Sequence, residues 1–159
     1  MTLKTLEIDT SQSKVSFHIK KLGFLTIKGA LADFQGNIAF DDNDLENSKL
    51  DGSVGAITID TGNAKRDEHL KSNDFFYVKE FPKIKFQSTK IIKEKDHFLA
   101  IGQLTILNKT NEVSIPFSYE NKSLKGNFSL NRLDYDLGKK FPSFIVGKTV
   151  QISINTKIK

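Results

Sequence analysis

Arg66 and Asp67 stand side by side near the middle of the chain, and Arg132 is the only other arginine in it. A guanidinium is planar, always charged and rich in N–H donors. Arg66 with Arg132 could therefore face a ligand head group such as a phosphate or a quinone oxygen. The competing and favoured reading is a hydrogen-bonded anchor, in which Arg66 or Asp67 ties a helix to neighbouring strand ends. His18, His69 and His97 lie far apart on unlike segments, without metal-ligand spacing, so no metal site is expected. Gly147-Lys148-Thr149 matches the end of a phosphate-binding loop, but the earlier glycine such a loop requires is Pro142. The chain has no Gly-x-Ser-x-Gly, His-Glu-x-x-His or Gly-x-Gly-x-x-Gly, and none of its carboxylates can be assigned acid and base roles. No catalytic residue and no cofactor are therefore expected.

These groups need a scaffold, and 159 residues suffice for one domain, 1–159, with a core that needs no staples. The apolar set is rich in rings, with 13 Phe, one Met and no Trp, and Phe brings bulk without a polar handle to either a core or a greasy pocket. Cysteine is absent, which removes disulfides and thiolate chemistry. The net charge of +5 rests almost wholly on lysines spread along the chain. Nucleic-acid recognition draws on arginine forks and local clusters, so no nucleic-acid partner is expected; a transient contact with a membrane surface is allowed. The N-terminus lacks the apolar run of a secretory signal and no stretch approaches a membrane span, so the chain as it stands reads as cytoplasmic, or as periplasmic if a signal was removed.

Alternation of apolar and polar residues, the mark of a strand with one buried face, recurs almost from end to end. Val15, Phe17 and Ile19 set one strand. Leu25, Ile27 and Leu31 begin a longer one whose parity changes by Phe34, Ile38 and Phe40, which places a bulge near Gly29 or Asp33. From Leu50 to Thr61 the same switch appears, Leu50 and Val54 on one parity, Ile57 and Ile59 on the other. Ile84 and Phe86, then Phe98 to Ile106, Val113 to Tyr119, Leu124 to Leu130, and Val150 to Ile154 complete about eight strands. The turns between them, such as 93–96, 108–111 and 121–123, are short, so neighbours run antiparallel in a meander.

One segment reads as a helix. Asn63 caps Ala64 to Lys71, a run without β-branched residues, and Phe75, Phe76 and Tyr77 follow as an aromatic cluster. Residues 139–144 read as an irregular loop before the last strand.

Eight meandering strands can close into a barrel that has no exposed edge; a two-sheet sandwich satisfies the same periodicity. At this strand number the interior is either filled by side chains or just wide enough for one ligand. The helix inserted midway favours the barrel, because such a helix commonly lids one end.

The run from Thr61 to Phe76, with Arg66-Asp67, His69-Leu70, Ser72 and Asp74-Phe75-Phe76, followed by Pro82-Lys83-Ile84-Lys85-Phe86-Gln87-Ser88, closely resembles the signature of the YceI family. Supporting matches are Ser13 to Phe17, Gly29, Phe34 to Ile38, Gly102-Gln103-Leu104-Thr105, Asn131 to Tyr135 and Gly147 to Val150, so the resemblance spans nearly the whole chain. It implies an all-β fold, a single eight-stranded antiparallel lipocalin-like barrel with one short helix near the middle of the chain. It further implies an interior that holds a polyisoprenoid or similar long-chain amphiphile without catalysis, and a frequent periplasmic location.

On this reading Phe17, Ile19, Phe34, Ile38, Val54, Leu70, Phe75, Phe76, Phe86, Leu104, Phe117, Phe128 and Ile152 are expected to line an apolar tunnel, with Arg66 and Arg132 as candidates for a head group. A bound isoprenoid or long-chain lipid is the expected ligand, for transport or storage, and a homodimer is allowed. The alternatives are an enzyme acting on such a lipid and a filled-core structural or protein-binding barrel.

Overall fold

Strands form where apolar and polar residues alternate, and in the computed structural model, which describes residues 3–159, those segments close on one another. In chain order they are β1 (Lys14–Lys21), β2 (Leu25–Ala39), β3 (Lys49–Asp60), the helix α1 (Ala64–Lys71), β4 (Lys83–Lys93), β5 (Phe98–Ile106), β6 (Lys109–Glu120), β7 (Ser123–Asn131) and β8 (Val146–Lys157). Every strand pairs antiparallel with its sequence neighbours, and β8 returns to β1 with Phe17 opposite Ile152. The sheet is thus a closed barrel and not a sandwich, in which every strand has a neighbour on both sides.

Parity inside the barrel follows the period of two, with β5 burying every second residue from Phe98 to Ile106. The change of parity in β2 falls at Asp33, whose φ of 56° makes the bulge. Upstream of it Ile27 and Leu31 face inward; downstream Phe34 and Ile38 do. In β3 the switch is larger than a shared parity of Ile57 and Ile59 implies. Between Gly55 and Asp60 the strand runs past only two residues of β2, so Ile59 turns in while Ile57 is left 61% exposed. The Thr58 hydroxyl fills the missing ladder bonds, accepting from Ala32 N at 2.7 Å and donating to Gly55 O at 2.6 Å. The β5–β6 turn is also tighter than expected from sequence. It is the pair Leu107-Asn108, with Leu107 at a φ of 56°, and Lys109 already belongs to β6.

The two ends of the barrel differ. At one, the chain before β1 crosses from β2 to β8, bridging Leu6 to Ile38 and Ile8 to Ile158, and floors the barrel. Here Phe40 meets the rings of Phe98 and Phe117 edge-on at 5.1 and 5.6 Å, and Ile38, Phe98, Ala100 and Phe117 are buried. At the other end lie α1, the aromatic turn after it, and the segment between β7 and β8.

Candidate functional site

α1 begins where Asn63 accepts a bond from Arg66 N at 3.0 Å, an N-cap of the kind expected. Its first turn is fastened to the end of β3 through one residue. The buried Asp67 carboxylate accepts from both the amide and the hydroxyl of Thr61, and Arg66 donates from Nε to Thr61 Oγ1 and from Nη2 to Thr61 O, each at 2.8 Å. Arg66-Asp67 is therefore an anchor, and half-buried Arg66, which keeps N–H groups beyond those two bonds, also lines the barrel interior.

Arg132 is 1% exposed and gives every one of its N–H donors to a backbone carbonyl. Nε bonds Gly147 O, Nη1 bonds Leu137 O and Gly138 O, and Nη2 bonds Phe141 O and Val146 O, at 2.7 to 3.0 Å. A guanidinium has five N–H groups, so none remains for a head group, and that expectation for Arg132 is corrected. Its task is to hold the 136–147 segment, whose own backbone bonds are a few turns such as Phe141 N to Gly138 O and Ile145 N to Pro142 O. Burial lowers the pKa of Arg132, an effect the surrounding carbonyl dipoles oppose. Gly138, at a φ of 65°, lies so close to the Phe75 ring and to Arg132 Nη1 that a Cβ would collide with the ring.

Between floor and α1 lies a cavity of about 520 Å³, inside the range of roughly 300–1,000 Å³ that organic ligands occupy. Each apolar residue named from sequence for a tunnel, from Phe17 to Ile152, stands on its wall, as do Arg66 and the spent Arg132. Many of these inward side chains, among them Phe17, Ile19, Phe86, Phe128 and Ile152, are only half-buried although they point away from bulk solvent. Water-sized space inside the barrel is what leaves them so, and the interior is hollow. The Phe17 ring lies across Gly29 of the neighbouring strand, where any Cβ would strike it, so the ring lies flat along the wall and leaves the lumen open.

Sequence reasoning missed the polar groups at the mouth. Lys21 lines the cavity with no ion pair among the described residues, and its signal was the parity of Val15, Phe17 and Ile19 carried one step further. His69, one helical turn after Arg66, also lines it. Its ring meets Phe75 and Phe141 edge-on at 5.3 and 5.6 Å, and its Nε2 lies 2.8 Å from Asp74. Lys140 reaches the same carboxylate at 3.3 Å, so Asp74 clasps α1 to the 136–145 segment, and its pKa is lowered mainly by the His69 bond and then by Lys140. Phe141 and Ile145 line the mouth from irregular backbone, where no periodicity could have announced them.

The arrangement defines a class: a closed antiparallel barrel with a hollow apolar interior, floored at one end and helix-lidded at the other. Within that class the chain belongs to the YceI-like domain family, whose model matches residues 6–158. It is 32% identical over 108 residues to a UPF0312 protein of Photorhabdus laumondii, a match covering 68% of this chain and 56% of that protein. The matched stretch is thus little more than half the length of such relatives. Among solved structures, Burkholderia cenocepacia BcnA superposes with a TM-score of 0.86 at 22% identity, over 94% of this chain and 98% of that one. A polyisoprenoid binding domain from Saccharophagus degradans superposes with a TM-score of 0.71 at 10% identity, over 96% of both chains.

Proposed function

We propose that the protein binds a polyisoprenoid or other long-chain amphiphile inside the barrel, without catalysis, and carries or stores it. The observation that supports this reading is the hollow: about 520 Å³ walled almost wholly by apolar side chains, with Lys21, Arg66 and His69 gathered at one mouth. A tail suits the wall and a polar head suits the mouth. The name of the Saccharophagus degradans domain points to the same ligand class.

The energetics favour length. Each isoprene unit taken from water gains about 3–4 kcal/mol. Association costs roughly 4–15 kcal/mol, so one or two units bind poorly and several bind well. In a membrane such tails are already dry, and exchange between bilayer and barrel is then close to balanced. That suits a carrier better than a sink.

Mass spectrometry of an organic extract of the purified protein tests the reading. A stoichiometric long-chain species is expected from the wild type and not from Ile152→Trp, which fills the lumen. An empty extract from protein that also takes up no added polyprenol would sink it, and a chemically altered lipid would point to an enzyme instead. Arg66→Ala tests the head-group role: lost stability with unchanged affinity would reject it.

A further inference from the structure

The cavity mouth carries large apolar side chains that nothing in the described chain covers. Phe24 is 72% exposed, Phe144 74% and Leu22 50%. They sit on two segments joined to each other, because Leu22 N donates to Ile145 O at 2.9 Å and Lys21 pairs with Val146. Lys21 and Ile145 line the cavity, so these apolar groups project from its rim. Leu22 holds a φ of 55°, a region a bulky side chain rarely adopts. Backbone energy is thus spent on a hairpin tip that exposes a leucine.

Charge is distributed as unevenly. Residues 10–32 and 137–159 contain nine lysines and no aspartate or glutamate, whereas the rest of the chain has more carboxylates than basic groups. These stretches build β8, β1 and the first half of β2, three adjacent strands, together with the rim itself. The net positive charge therefore lies on these three strands and on the two segments that meet at the rim. Among the described residues Lys20, Lys21, Lys139 and Lys148 make no ion pair, while Lys140 pairs with Asp74.

We propose that this rim is a docking surface for an anionic lipid bilayer, with Phe24, Phe144 and Leu22 entering the interface and the lysines meeting the head groups. Exposed apolar groups on segments that carry lysines and no carboxylates match a negatively charged apolar boundary on both counts. A second copy of the chain does not, since two such rims face to face would oppose lysine to lysine. Docking there brings the cavity mouth onto the membrane. It does not require that the lumen bind lipid, and extraction and docking are read by separate experiments.

Co-sedimentation with vesicles of phosphatidylcholine mixed with phosphatidylglycerol, compared with phosphatidylcholine alone, tests the proposal. The wild type is expected to bind the anionic vesicles, more weakly at high salt, and to bind the neutral ones little. Phe24→Ser with Phe144→Ser should lower the binding constant about ten-fold or more, from the burial each ring loses. Lys20→Gln, Lys139→Gln and Lys148→Gln should cost about five-fold each, on anionic vesicles only. Ile57→Ser, exposed but outside both segments, should bind as wild type. The chain has no Trp, so Phe24→Trp supplies an insertion signal that survives if the serine variant misfolds: its emission should shift to the blue with anionic vesicles. Equal binding to both vesicles, unaltered binding by folded Phe24→Ser/Phe144→Ser, or an unshifted Phe24→Trp would overturn it. So would a dimer, formed without vesicles and lost with those two rings.

Discussion

The floor and the mouth of this barrel are both packed with apolar side chains, but only the mouth adds a set of charged ties. At the floor Phe40, Phe98 and Phe117 interlock with Ile38 and Ala100, and the N-terminal strap covers them, so cohesion comes from apolar area and shape. At the mouth the same strands end in backbone that is tied by charge-assisted hydrogen bonds: Arg132 to five carbonyls, Asp67 and Arg66 to Thr61, Asp74 to His69 and Lys140. Phe75, Leu130 and Leu137 pack there as well, and the charged bonds fasten irregular backbone to that packing. Directional bonds, within each segment and across the Asp74 clasp, fix the rim at points and leave the cavity beneath it open.

The sharpest way to break the comparison is at the floor. Phe98→Ala removes a buried ring that touches Phe40 and Phe117 but does not line the cavity, and should cost about 4 kcal/mol in urea unfolding. A loss below about 1 kcal/mol would mean that the strap, not the rings, holds that end. At the mouth Arg132→Met fills a similar volume and orphans five carbonyls, some of which water will reach. About 3 kcal/mol is expected, with amide exchange quickened in residues 136–147 and unchanged in β4 and β5. Arg132→Lys should recover less than half, because the three donors of a compact ammonium cannot reach five carbonyls spread around the edge of a guanidinium plane. If the damage spread evenly round the barrel, the division of labour between the two ends would be false.

This division also sets what was legible in the sequence. Periodicity reports which residues share a face, and it located the strands, a bulge near Gly29 or Asp33 and the alternation that turns Phe17 and Ile152 inward, because a period of two is a local property; only the structure puts the bulge at Asp33. Ile57 escaped it, since where a strand leaves its partner depends on the Ala56 amide bonding Pro82 O, a contact set by residues far along the chain. Arg132 escaped for a related reason. A buried arginine and a ligand-facing one are the same letter, and only the carbonyls converging from 137 to 147 tell them apart. The mouth is therefore the least legible region, being built from irregular backbone whose partners are non-local.

The smallest expected effect tests whether the Asp74 clasp belongs to the polar side of the comparison. Its carboxyl lies below the ordinary value of 3.8, held down first by the His69 bond and then by Lys140. A depressed folded-state pKa contributes stability that is complete above the unfolded-state value and is lost as pH falls through the folded one. The clasp is thus intact at neutral pH and fails only in acid, below about pH 4. Asp74→Asn should be less stable than wild type near neutrality, by a margin that shrinks to nothing as both are taken below that pH. Carboxyl-carbon NMR should show Asp74 titrating below the ordinary value of 3.8. A stability difference that persisted undiminished into acid would assign Asp74 to packing, and the mouth would then differ from the floor by one fewer charged contact.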